Sequence, residues 1–233
     1  MFKRTALALA SIVFISNASA AVVGIGGNNW YTDTLRQNLI AQGNTVTVYT
    51  SYDAATLAGL DAYIQDGNNF FDANLLDSFV FNGGTLIEIP WTFTHNGYTA
   101  GTKVFSGRTF ADHGSNLFTH TIDANDWLLD GVTVPASLFG GHEVGNTFQA
   151  GVHQVLDYTD GTAMLGYKEY GQGIAIGFNL HLVTSDANPV NAAWSNQIVY
   201  NAIAGNNTVP EPTPLALIAL GLAGIALAKR RKA

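Results

Sequence analysis

Between residues 21 and 90 the chain alternates two hydrophobic periods. The first stretch, "AVVGIG" (Ala21–Gly26), is a continuous apolar run of strand length. "WYTDTLRQNLIAQG" follows and spaces Tyr31, Leu35, Leu39 and Ile40 as on one helix face, stopping at Gly43. "TVTVYTS" is rich in β-branched residues and predicts a second strand, and "LDAYIQDG" predicts a third around Ala62–Ile64. "DANLLDSFVFNGG" opens on Asp72 as a helix cap and sets Leu75, Leu76, Phe79 and Val80 on one face. It closes at Asn82-Gly83. "GTLIEIP" is apolar on both faces apart from Glu88, which predicts a central strand over Gly84–Pro90. This β-α-β-α order predicts a doubly wound, mainly parallel α/β sheet with right-handed crossovers.

From Trp91 to Gly151 the periodicity fades, and Gly, Asn and His predict long loops and short elements on the sheet's rim. Order returns in "TAMLGYKEYGQGIAIGFNLH", two strands joined at Gly171-Gln172-Gly173, with Asp160-Gly161 as a tight turn before them. "NPVNAAWSNQIVYNAIAG" places Trp194, Ile198, Ala202 and Ile203 on one helix face and ends at Gly205. No internal repeat is present.

Both ends of the 233-residue chain carry a different pattern. "MFKRTALALASIVFISNASA" has Lys3 and Arg4, an apolar run and the small residues Ala18 and Ala20, the layout of a secretory signal peptide cut after Ala20. At the other end, Leu215–Ala228 is a fourteen-residue run of Leu, Ile, Ala and Gly, followed by Lys229, Arg230, Arg231 and Lys232. It is apolar all round, which predicts a membrane helix rather than a core helix. It falls short of the roughly 20 residues that span a bilayer comfortably, and the terminal cations can snorkel. Positive charge holds that end in the cytoplasm and leaves the body outside. The expected organisation is a signal peptide over 1–20, one α/β domain over 21–205, a linker over 206–214, and a transmembrane helix with basic tail over 215–233.

Charge narrows the function classes. Between Ala21 and Thr208 four basic residues (Arg36, Lys103, Arg108, Lys168) face sixteen acidic ones, a net charge near −12. Such a body repels nucleic acid and anionic lipid, so no nucleic-acid partner is expected. With no cysteine in the chain, disulfides, thiolate metal sites and a Cys nucleophile are excluded.

The tail "VPEPTPLALIALGLAGIALAKRRKA" resembles the PEP-CTERM sorting signal of Gram-negative bacteria. Val209-Pro210-Glu211-Pro212, an apolar helix and an Arg/Lys cluster stand in that signal's order at the very C-terminus. The resemblance implies cleavage near Glu211 by an exosortase. It also implies a transient inner-membrane anchor and delivery to the cell surface or an exopolysaccharide biofilm matrix. Signal peptidase would be the second processing partner.

The central domain resembles the class I glutamine amidotransferase-like superfamily, in particular its ThuA-like branch, which implies a flavodoxin-like sheet. The residues that carry this are the opening strand and helix, "FVFNGGTLIEIP", and "DGTAMLGYKEYGQGIAIGFN" before the last helix. That family sets a Cys in a turn after a central strand and a His late in the chain. Here Trp91-Thr92-Phe93 follows the strand. His181 could stand for the late His, but Val183 replaces the acid of the family's His-Pro-Glu. Amidotransferase chemistry is therefore not expected.

Other chemistry is sparse. "GIGGNN" (Gly24–Asn29) follows a strand and precedes a helix, so its amides could receive an anion, but it lacks the full dinucleotide or P-loop pattern. His113, His120, His142, Glu143 and His153 show no metal-ligand spacing, and predict loop histidines bonded to backbone. Asp123, Asp126 and Asp130 predict caps and solvated charges. No metal and no cofactor is expected.

Glu88 is the carboxylate with the strongest pull, near the end of a central strand where open α/β sheets bind ligands. It is either a buried group satisfied by Tyr or backbone, or part of an enzyme in which Glu88 or His181 is the general base. The enzyme would also use His95 and His181, with Trp91 as a sugar-stacking platform. Two functions stay open: a non-catalytic surface or matrix module, and an extracytoplasmic hydrolase or sugar-binding enzyme with a Glu/His crevice.

Overall fold

The computed structural model describes residues 20–26, 33–65, 72–90, 103–106, 110–180 and 189–206. The first half holds the expected strands and helices, with one further short helix between the second and third strands: β1 (Val22–Gly26), α1 (Asp33–Ala41), β2 (Thr45–Tyr49), α2 (Ala54–Ala58), β3 (Ala62–Gln65), α3 (Ala73–Phe81) and β4 (Thr85–Glu88). Local chemistry sets the helix ends. Asp72 accepts hydrogen bonds from the Asn74 and Leu75 amides at 2.9 and 3.2 Å, and Asp53 caps α2 through Thr56. After α3 the chain reverses at Asn82 and Gly83, whose φ of 110° only glycine adopts readily.

The second half contributes β5 (Phe105–Ser106), β6 (Phe110–Thr121), a 3-10 turn (Trp127–Leu129), β7 (Ser137–Val144), β8 (Thr147–Phe148), β9 (His153–Tyr158), β10 (Ala163–Tyr170), β11 (Gly173–Phe178) and α4 (Pro189–Asn206). The large sheet runs β2-β1-β3-β4-β11-β10-β9-β6-β7. Pairing is parallel from β2 through β11 and antiparallel from there on. The result is a mixed α/β fold with β4 inside the parallel part, flanked by β3 and β11, as "GTLIEIP" predicts.

Two apolar layers cover the sheet. On one face α1 (Leu35, Leu39) and α4 (Trp194, Ile198, Val199, Ala202, Ile203) pack on Val23, Ile25, Ile64, Ile87, Ile176 and Phe178. On the other, α2 (Leu57) and α3 (Leu76, Phe79, Val80) pack with Val104 and Phe105 on Tyr63, Leu86 and Ala175. Each Val, Leu, Ile or Phe among them contributes about 1.5–3 kcal/mol when removed from water. Ile40, expected on the inner face of α1, is 46% exposed. In so short a helix Leu35 and Leu39 fill the contact with β2, and Ile40 lies about 100° further round. Leu75 is likewise only half-buried.

The loop-rich reading of 91–151 is overturned for the described residues. β6 and β7 are long paired strands, twelve and eight residues. They lack the usual signature because Phe118 and Phe139 face outward while His142 and Glu143 are buried. The register also shifts between His113 and Ser115, which breaks the two-residue period.

The glycines of "GIG" serve packing. A Cβ at Gly26 would lie 2.1 Å from the Tyr63 hydroxyl, and one at Gly24 2.8 Å from its ring, so β1 is hollowed to seat Tyr63. Residues 27–29, the rest of the anion-loop candidate, lie outside the described residues. So does Leu215–Ala228. Among the described residues no helix is long and apolar enough to cross a membrane.

Candidate functional site

Glu88 ends β4, in register with Gln65 of β3 and Gly177 of β11. The missing side chain at Gly177 lets Phe105 and Val104 close down beside it, within 2.6 and 2.9 Å of where a Cβ would sit. Glu88 is fully buried, and neither carboxylate oxygen has a hydrogen-bond partner among the described residues. Burial pushes its pKa well above the ordinary 4.5, and the Asp77 charge pushes the same way; Lys103 opposes both. Lys103 is committed elsewhere, to Asp77 at 2.9 Å and over the Tyr170 ring at 4.8 Å. The alternative of a Glu satisfied by Tyr or backbone thus finds no such partner among the described residues. Trp91, His95 and His181 lie outside them, as do Ala18, Val209–Pro212 and Lys229–Lys232; Ala20 is described and exposed.

Beyond β11 the buried polar groups knit the antiparallel strands together. Asn179 accepts from the Glu143 amide at 2.8 Å and donates to the Glu143 and Ala163 carbonyls at 2.8 and 2.9 Å. Asn146 donates to the Glu143 carboxylate, and the Tyr158 hydroxyl donates to the Asn179 carbonyl. Burial raises the Tyr158 pKa well above its usual value, with Asp160 adding to it. His142 packs its ring edge against Tyr158 at 4.7 Å. Glu143 and His142 are thus part of a structural clamp.

A third cluster escapes the sequence entirely. Asp126 caps the 3-10 turn, accepting from the Leu128 amide at 2.8 Å, which is the cap expected of it. Its other oxygen lies 3.2 Å from His153 Nε2, which is also 3.2 Å from Asp123. His153 and His120 (2.7 Å from Asp157) therefore contact carboxylates, contrary to the expectation of backbone partners. The Asp123, Asp126 and His153 ligand atoms lie within 4.8 Å of one another, a set that could hold a cation. Tyr167 stacks on His153 at 4.9 Å, and its hydroxyl bonds Asp126 and Trp127; burial raises its pKa. Trp127 and Tyr167 in turn wall a cavity of about 850 Å³ between the end of α4, the β10–β11 turn and the 3-10 turn.

Comparison with known proteins places the C-terminal end of the chain more firmly than the rest. Residues 208–232 match the PEP-CTERM protein-sorting motif. A search of curated proteins gives no match. Among solved structures, a cytoplasmic protein of Salmonella typhimurium aligns with a TM-score of 0.60 at 12% identity, over 78% of this chain and 97% of its own. A β-galactosidase from Rahnella sp. R3 aligns at 0.59 and 17% identity over 82% of this chain but only 32% of the enzyme. A chain in the structure of PurLQS from Thermotoga maritima aligns at 0.54 and 11%, over 80% and 98%. At such identities the likeness concerns the fold alone.

Proposed function

We propose that this is an exported protein, processed by an exosortase and delivered to the cell surface or an exopolysaccharide matrix. There its α/β domain (21–205) serves as a non-catalytic structural or binding module. The carrying observation is the PEP-CTERM match over 208–232. Val209–Pro212 offers an extended segment that a peptidase cleft can grip, since Pro210 and Pro212 interrupt a helix. Leu215–Ala228 halts in the bilayer, and each charge of Lys229–Lys232 costs about 2.5–3.5 kcal/mol to draw to its centre. Signal peptidase removes residues 1–20 after Ala20. The strand order β2-β1-β3-β4-β11, with helices on both faces, supports a flavodoxin-like, glutamine amidotransferase-like domain of the ThuA-like kind. The absence of any cysteine argues against that family's chemistry here.

Intact-mass measurement of the secreted protein tests the sorting. In an exosortase-positive cell the wild type should begin at Ala21 and end near Glu211. Pro210→Ala/Glu211→Ala/Pro212→Ala should keep its C-terminal helix. If both forms keep the helix, the sorting reading fails.

Glu88, buried and without a hydrogen-bond partner among the described residues, favours a second reading, an extracytoplasmic hydrolase that uses Glu88 as general acid or base together with His95 and His181. It requires turnover of a glycoside panel by the wild type and its loss in Glu88→Gln. A wild type without turnover leaves the binding module.

A further inference from the structure

The cavity beside Trp127 is unusual in what its polar lining lacks. Its volume of about 850 Å³ is that of a small-molecule site. Its two aromatic walls are fixed before any ligand arrives. Trp127 and Tyr167 meet edge to face, 5.6 Å apart at 63°. The Tyr167 hydroxyl is bonded to Trp127 and Asp126, and its ring is stacked on His153. Gly205 lets the indole lie against α4, since a Cβ there would stand 2.4 Å from it.

The rim carries Asp130 and Glu169, both exposed, and neither side chain has a partner among the described residues. Asn201 is spent: its amide donates to the Leu128 and Asp130 carbonyls at 2.8 and 2.9 Å, and its oxygen accepts from Gln197. The indole N–H is engaged with Tyr167. Gln172 is the remaining side-chain amide, and among the described residues no Lys, Arg or His lines the cavity. The site is therefore rich in acceptors, negatively charged and aromatic-walled.

Its chemical complement is a group that only donates, carries positive charge and gains from an aromatic face. An ammonium has all three properties: three donors and no acceptor, Coulomb attraction to the two carboxylates, and attraction to indole and phenol rings. An anionic ligand is repelled, and a neutral polyol, whose hydroxyls can also donate, gains neither the Coulomb attraction to the carboxylates nor the attraction of a cation to the rings. We propose that this cavity binds a ligand bearing several primary ammonium groups, either a linear polyamine or an amino-sugar oligomer. This rests on the reading of the domain as a binding module. The net charge near −12 of residues 21–208 draws such ligands from a distance.

The test is calorimetric titration of the full chain in detergent at about pH 6 and about 20 mM salt, where surface attraction is least screened. The probes are spermidine, the fully deacetylated glucosamine hexamer, and the N-acetylglucosamine hexamer, which keeps the sugar and removes the charge. At least one amine should bind, and whichever binds more tightly identifies the source. The N-acetyl hexamer should not bind. Asp130→Asn/Glu169→Gln, both surface changes, should weaken the amine roughly tenfold, and Trp127→Leu severalfold, by loss of charge and of ring attraction respectively. The proposal is overturned if neither amine binds, if the double variant binds as the wild type does, or if the N-acetyl hexamer binds as well as the free amine. That last result would sink the ammonium site and still leave a binding module.

Discussion

Replacing Glu88 with Gln keeps the size and shape of a buried side chain and removes its ability to ionise. Glu88 has no exposed surface and no hydrogen-bond partner among the described residues, and Lys103, the cation whose charge acts on it, is already paired with Asp77. Its folded-state pKa is raised well above 4.5, chiefly by burial. The sign follows. At pH values below 4.5 the carboxyl is protonated both folded and unfolded, and its proton has no effect on stability. As pH rises, the unfolded chain gives up the proton to water while the folded chain keeps it. Stability therefore falls by about 1.4 kcal/mol per pH unit until the folded group ionises.

Gln at this position has no such dependence. Between about pH 5 and pH 6 the wild type should lose about 1.4 kcal/mol relative to Glu88→Gln. With a urea slope of about 2 kcal/mol per molar, the gap between their unfolding midpoints should move by about 0.7 M for that single pH unit. The other titrating groups are common to both proteins and largely cancel. Urea melts of the pair at half-unit pH steps supply the measurement. Parallel midpoint curves, with Glu88→Gln below the wild type by a constant amount, would refute the reasoning. They would mean that the carboxylate is ionised in the fold and held by a partner.

Two further changes probe the frame around the site. Asn179→Ala strips three hydrogen bonds from the Glu143 and Ala163 backbone in a buried setting, and should cost about 3 kcal/mol in urea unfolding. Gly171→Ala meets both a φ of 67° and the Phe81 carbonyl oxygen at 2.4 Å. It should lower stability by about 1–3 kcal/mol in a thermal melt, with β10–β11 hairpin amides losing hydrogen-exchange protection first.

The parallel half of the fold was legible because each of its elements is self-describing. Asp72 caps α3, Gly43 and Gly83 sit at positive φ after α1 and α3, and the apolar run at Leu86–Ile89 is buried on both sides. What escaped there was small. α2 is five residues with Leu57 alone buried, too short to display a period. The antiparallel half was illegible for a different reason. A strand reads as a strand when its inward positions are apolar, and β7 turns His142 and Glu143 inward while showing Phe139 to solvent. The Glu143 amide is satisfied by the Asn179 side chain, 36 positions further along the chain. No local window contains the compensation.

The same distinction separates the address of this protein from its binding surface. A sorting signal is read by a peptidase and a membrane as one contiguous, extended piece. All of its chemistry stands in order along Val209–Lys232, and the motif match falls on that stretch. The cavity beside Trp127 is assembled from the 3-10 turn, the β10–β11 hairpin and the end of α4. His153 reaches Asp123 across thirty positions because β9 returns alongside β6. Composition did carry one trace of it: sixteen acids against four bases between Ala21 and Thr208 leave most carboxylates without a cationic partner of their own. An excess of that size is neutral to the fold where the acids are scattered in water. Where two of them flank fixed aromatic rings it becomes a preference for cations. Only the arrangement in space distinguishes the two cases.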